Sequence, residues 1–286
     1  MQLALVLLLL LVSVAALPSH LSSPLKRILG DSELPRTLDK AELYEKPYVK
    51  FTNLPKDQIV AEGDTVTLEC EATGVPPPTV QWSLNGRPLT QGRYEQDDNT
   101  LEKLLNLGLV TIENGVTVSK LRLPCVSSRD AGRYTCTAKN GHQSIETEAV
   151  IDVNPGNGAS MCQNLAKKSG VETGQGSAPV IYMWTWGRFE RDGATVQLFC
   201  RAKGEPEPKI LWFTEEGEPV TDGGQFTILA NGDLLIKTAT WETSGSYSCV
   251  ASNKNGEDQV ESFFYPTEPE DGDEIDDDSS DVSLIP

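Results

Sequence analysis

The chain has 286 residues, 38% of them hydrophobic, and a formal charge of −18 at pH 7. That balance argues against nucleic acid, heparin-like polyanions and anionic membranes as partners. It has only two histidines, His20 and His142, no phosphate-cradling glycine loop and no His–Cys spacing of the zinc kind, so neither catalysis nor a metal or cofactor is expected.

The chain opens MQLALVLLLLLVSVAALPSH. Leu3 to Val14 is apolar but too short to cross a bilayer. Val14 and Ala16 stand at the −3 and −1 positions of a cleavage site, so 1–16 reads as a secretory signal peptide and the mature chain as secreted and extracellular. Only the α-amino group supplies positive charge ahead of the apolar run. Residues 17–46 read as a disordered arm, in which Lys26-Arg27 is either a dibasic processing site or a charged spacer. No later stretch is apolar enough to insert in a membrane. At the far end, 267–286 hold nine acids and no Lys or Arg, too few apolar groups to fold. The run DGDEIDDDSSD lacks the ligand order and turn glycine of a calcium loop and reads as a solubilising tail. Six cysteines behind a signal peptide imply three disulfides.

Between these ends one pattern occurs twice. The first copy reads EGDTVTLECEATGVPPPTVQW and then DAGRYTC; the second reads DGATVQLFCRAKGEPEPKILW and then TSGSYSC. Trp82 follows Cys70 by twelve residues, and Trp212 follows Cys200 by the same interval. Tyr134 and Tyr247 each stand two before a cysteine, Cys136 and Cys249. Strand alternation surrounds both frames, with Val66 and Leu68 before Cys70 and Val196 and Leu198 before Cys200. A sandwich of two antiparallel sheets needs such parts: a bolt across the core, a Trp packed on it and a Tyr tying down the turn before the last core strand. Over nearly all of Pro47 to Pro266 the chain resembles the immunoglobulin superfamily, most like its intermediate set with a G-x-P-x-P turn before the third strand. The resemblance implies an all-β fold of two immunoglobulin-like I-set β-sandwich domains in tandem, at 47–153 and 180–266, with disulfides Cys70–Cys136 and Cys200–Cys249.

The first copy is longer by an insert at about 93–117. Within DDNTLEKLLNL, Leu101, Leu104 and Leu105 have helical spacing, so one or two helical turns are expected. These leucines either cap the open end of domain one or face a partner. TIENGVTVSKL then reads as a hairpin around Asn114-Gly115. Further on, Leu121 and Leu123 alternate inward, Val126 plugs the following turn and Cys125 points outward. The one cysteine left for it is Cys162, in the Gly-, Asn- and Ser-rich connector 154–179, which also has a possible helical turn over Ser160 to Lys168. A Cys125–Cys162 bridge tethers this linker and closes a loop of roughly 38 residues, worth about 4 kcal/mol in the chain-entropy picture. A bond from Cys162 to a second molecule is the competing outcome.

PVIYMWTWGRFERDG leads into domain two. Tyr182, Trp184 and Trp186 alternate and are candidates for partner contact; the competing reading packs them on ESFFYP or against domain one. A triad through His142, in the loop KNGHQS, has no geometric support. There is no N-glycan sequon.

The second copy, with LANGDLLI, the turn at Trp241 and the closing FFYP, resembles the secreted two-immunoglobulin proteins of arthropods typified by imaginal morphogenesis protein late two. It is similar also to the secreted two-domain immunoglobulin proteins of nematodes. The first resemblance implies a secreted antagonist that binds insulin-like peptides and keeps them from their receptor. The second implies cell-surface or neuronal recognition of a receptor or another immunoglobulin protein. Either way the expected partner is a protein and the expected state is a monomer or weak homodimer. A structural matrix role lacks the long repeat array it needs.

Overall fold

The computed structural model describes residues 46–94, 99–156 and 176–267. The expected signal peptide, nearly all of the N-terminal arm, the linker turn with Cys162 and the tail from residue 268 lie outside them.

The first sandwich runs β1 (Tyr48–Asn53), β2 (Gln58–Ala61), β3 (Val66–Val75), β4 (Thr79–Leu84), β5 (Arg87–Leu89), β6 (Asn114–Leu123), β7 (Gly132–Lys139) and β8 (Ser144–Asn154). One sheet has the order β1-β3-β6 and the facing sheet β2-β8-β7-β4-β5. The second runs β9 (Ser177–Arg191), β10 (Val196–Leu198), β11 (Cys200–Glu205), β12 (Lys209–Phe213), β13 (Phe226–Ile228), β14 (Leu234–Ile236), β15 (Gly245–Asn253) and β16 (Gly256–Thr267). Here β10-β14-β13 face β16-β15-β12.

Period-two alternation builds both cores. Val66, Leu68, Cys70 and Ala72 are buried, as are Val196, Leu198 and Cys200. The disulfides Cys70–Cys136 and Cys200–Cys249 cross the two sandwiches. Each core Trp finds a partner for its indole N–H: Trp82 donates to Ser119 Oγ at 3.1 Å and Trp212 to the Gly232 carbonyl at 2.9 Å. The peptide bonds Val75–Pro76 and Glu205–Pro206 are both cis, at the same point of the two repeats.

The two tyrosines close corners as their position implies. Tyr134 donates to the Asp130 carbonyl at 2.7 Å and Tyr247 to that of Thr243 at 2.8 Å. Burial pushes each phenol up to about 12, so both stay donors at any physiological pH. Tyr134→Phe and Tyr247→Phe should each lose about 1 kcal/mol in urea unfolding. A loss near zero in both would mean that the corners contribute nothing.

Strand β9 makes the two sandwiches one body. It is fifteen residues long and pairs antiparallel with β6 of the first sandwich from Met183 to Phe189. Along its other edge it pairs first with β11 and then, in parallel, with β16. Thus β9 lies beside β6, where a further strand of domain one would stand. The expected hairpin around Asn114-Gly115 does not form. Asn114 instead opens the ten-residue β6 directly, after Glu113 at φ 51°, because the edge such a hairpin would cover is taken by domain two.

The pairing of β9 is interrupted at three points, the first between Ser177 and Val180 on the β11 edge. Its register slips between Ile181 and Met183 on the β11 edge and between Thr185 and Gly187 on the β6 edge, leaving Tyr182 and Trp186 as extra residues. A bulge turns side chains off strict alternation. Tyr182 and Met183 consequently pack into the first core, while Ile181 and Trp184 pack into the second with Val118 of β6.

Candidate functional site

Two of the three aromatics expected to meet a partner cannot do so. Tyr182 is 2% exposed and Trp184 6%. Lys120 Nζ lies over the Trp184 ring, 4.6 Å from its centroid. The chain passes close over Tyr182: a Cβ at Gly92 would stand 2.5 Å from the ring, so only glycine fits there. Their side chains belong to two different cores, which the alternation of the sequence does not reveal. Trp186, displaced by the bulge, is 57% exposed.

Trp186 and a cluster of aromatics form an exposed strip on β9 and β16. Phe189 and Tyr265 are paired residues with ring centroids 6.3 Å apart; Phe263 stacks on Tyr265, and Trp241 meets Tyr265 edge-on at 5.2 Å. Phe189, Phe263, Tyr265 and Trp241 are all exposed. FFYP had signalled a closing strand, but Phe264 alone points into the core.

The insert supplies a second apolar surface by an unusual route. Its helix, α1 (Thr100–Leu105), is inside out. Asn99, Glu102 and Asn106 are buried, with Glu102 at 1% exposure, whereas Leu104 and Leu105 are 58% and 51% exposed, and Leu101, Leu107, Leu109 and Val110 are exposed as well. An ordinary surface helix turns its leucines inward and its charge to water. These leucines therefore do not cap domain one.

Polar residues of domain two hold α1 in this orientation. The Asn106 side chain accepts from Thr195 N at 2.7 Å and donates to Thr195 O at 2.8 Å. Glu102 accepts from Gln197 N at 3.0 Å and from the Arg188 guanidinium. The same guanidinium donates to Glu190 at 2.8 Å, and Glu190 also accepts from the amides of Ile112, Glu113 and Arg191. Arg188, Glu190 and Glu102 are essentially without solvent contact. Nearer the start of the insert, the Tyr94 carbonyl accepts from Arg201 at 2.7 Å, and Arg201 is itself paired with buried Asp233 at 2.9 Å. The insert is thus tied to domain two at both ends. No sequence signal exposed this: GRFER and TLEKLL look like a solvated strand end and an amphipathic helix.

Cys125 is disulfide-bonded and holds φ 58°, a left-handed conformation uncommon for a residue with a Cβ. The other end of the expected bridge, Cys162, lies outside the described residues. Among the described residues there is no free cysteine, no group able to hold a metal ion, and no helix long and apolar enough to cross a membrane.

Residues 46–140 match the family model "Immunoglobulin domain" and residues 190–264 match "Immunoglobulin I-set domain". The chain is 35% identical to Zwei Ig domain protein zig-4 of Caenorhabditis elegans, over 82% of this chain and 86% of that protein. It is 28% identical to the neural/ectodermal development factor IMP-L2 of Drosophila melanogaster, over 84% and 83%. The crystal structure of IMP-L2 superposes with a TM-score of 0.56 at 25% identity, covering 78% of this chain and 96% of that one. Paired sandwiches, two core disulfides and likeness along most of both chains lead to one conclusion: this chain belongs to the family of two-immunoglobulin-domain proteins.

Proposed function

We propose that the protein is secreted and captures an insulin-like peptide, holding it away from its receptor. The inside-out helix is the observation that carries this reading. Exposed leucines are a liability unless something covers them, and here a buried polar network is devoted to keeping them outward. A peptide hormone with an apolar receptor-binding face is a suitable occupant: covering that face blocks the receptor sterically. A stable interface takes about 800 Å² per partner, and the exposed apolar side chains Leu101, Leu104, Leu105, Leu107, Leu109 and Val110 supply its apolar centre. Secretion is supported by the cross-bolted cores, since structural disulfides persist in oxidising compartments.

The test is a titration of the purified protein with an insulin-like peptide, beside the variant Leu104→Ala/Leu105→Ala/Leu107→Ala. Alanine keeps the helix, and these side chains support no core. The variant should bind about 100-fold more weakly with an unchanged melting temperature. Equal affinity in both proteins would remove the leucines from the interface.

The aromatic strip favours a second reading, recognition of a cell-surface receptor or another immunoglobulin protein through the open face of β16. That reading predicts self-association in light scattering or attachment to cells, lost on Phe263→Ser/Tyr265→Ser, and no affinity for the peptide.

A further inference from the structure

The group that holds α1 contains one guanidinium and two carboxylates. Glu190 is the well-supported anion, with three backbone amides and Arg188 donating to it. Glu102 has one amide and a share of the same arginine. Among the described residues no further cation pairs with these carboxylates. On the β10–β14 side Asp233 is matched by Arg201 and also accepts from Gln197 at 2.8 Å. From the segment before β6, Glu113 adds negative charge toward Arg188. On β9 the backbone amide of Arg191, rather than its guanidinium, meets Glu190. On α1 itself Lys103, one residue from Glu102, is only partly buried. Arg188 Nε and Gln197 Oε1, both buried beside Glu102, make no hydrogen bond, so the network is incompletely satisfied and its grip is limited.

With both carboxylates ionised, the group would keep one unmatched negative charge out of water, which is costly. One proton on Glu102 removes the excess and keeps the helix seated. We propose that α1 is a proton-gated clasp: the helix with its leucine patch is held against domain two while Glu102 is protonated, and loosens when Glu102 ionises. As a regulator of peptide capture the clasp rests on the function proposed above; as a property of the fold it does not.

The direction agrees with the electrostatics of the site. Burial drives the Glu102 carboxyl up to about 7; Arg188 pulls the other way, and the charge of Glu190 adds to the rise. A released Glu102 regains the ordinary value of 4.5. The raised value belongs to the seated state, so seating is strongest in acid and weakens, without being abolished, as pH rises through about 7. Between pH 5.5 and 8.5 the seating equilibrium should fall about 30-fold by linkage.

The Gln197 amide reports this directly, because its acceptor is the Glu102 carboxyl group. Its hydrogen exchange, corrected for intrinsic base catalysis, should lose about 30-fold in protection from pH 5.5 to 8.5. In Glu102→Gln the protection should stay flat. Core amides such as Cys249 serve as the control for global unfolding. A flat profile in the wild-type protein overturns the clasp, and so does the same slope in Glu102→Gln, which would give the titration to another group. In a second arm an insulin-like peptide is titrated at both pH values. No peptide binding at either pH, with the Gln197 slope present, leaves the clasp standing and removes peptide capture. Peptide binding with a flat Gln197 profile does the reverse.

Discussion

Arg188→Met should cost about 3–5 kcal/mol of stability at pH 8, the largest effect of any single side-chain replacement in the insert's seat. The guanidinium is fully buried and is the cation matching Glu102 and Glu190. Without it two carboxylates face each other out of water. In urea unfolding the midpoint should drop accordingly, and the melting temperature should fall by roughly 10 °C. The deficit has a pH signature. Glu102 already sits near neutrality and can take up a proton, so the loss should be smaller at pH 5 than at pH 8. Adding Glu102→Gln should recover part of it by removing one of the stranded charges. A deficit below 1 kcal/mol at pH 8 would mean that the carboxylates find water in the folded protein and that α1 is not seated as described.

Thr185→Pro should destabilise both sandwiches together. Thr185 lies in β9 where the strand leaves β11 for β16. Its amide donates to Phe199 O at 3.0 Å, its hydroxyl accepts from Phe199 N at 2.8 Å, and its carbonyl accepts from Ser262 Oγ at 2.6 Å. Proline removes the first two and leaves the Phe199 amide buried without a partner. The expected loss is about 3 kcal/mol or more. Because Met183 of the same strand packs in the first core and Trp184 in the second, amides near Cys70 and near Cys249 should both exchange faster, in one cooperative transition. The milder Thr185→Val keeps the backbone bond and should cost about 1–3 kcal/mol. Faster exchange near Cys249 alone would make the first sandwich independent of β9.

What the sequence revealed follows from how local each signal is. The Cys–Trp–Tyr-x-Cys frames are set by strand alternation and by one corner bond each, so they carry the resemblance to the immunoglobulin superfamily, and that resemblance implied both sandwiches, both core disulfides and both tyrosine corners. The helical turns at Leu101–Leu105 were legible from spacing of three and four. Their orientation was not, because what turns Glu102 inward is Arg188, 86 residues away, and pattern alone cannot weigh a distant buried cation against three leucines. For Tyr182, Trp184 and Trp186 the choice between packing and partner contact stayed open for a related reason. Alternation assumes one uninterrupted sheet, whereas β9 slips register three times and serves two cores. The expected hairpin at Asn114-Gly115 failed because a strand from the other domain occupies the edge it would have covered. Trp186 is exposed because a bulge, which alternation does not show, turns it outward.

If the function proposed above holds, a peptide is held on the leucine-bearing insert. Hydrogen exchange of the protein with and without an insulin-like peptide, at pH 6 where α1 is seated, tests it most directly. Exchange should slow across 100–112, with the outer strands β4, β7 and β8 of domain one unchanged. Slowing confined to β4, β7 and β8, with 100–112 unaffected, would contradict it.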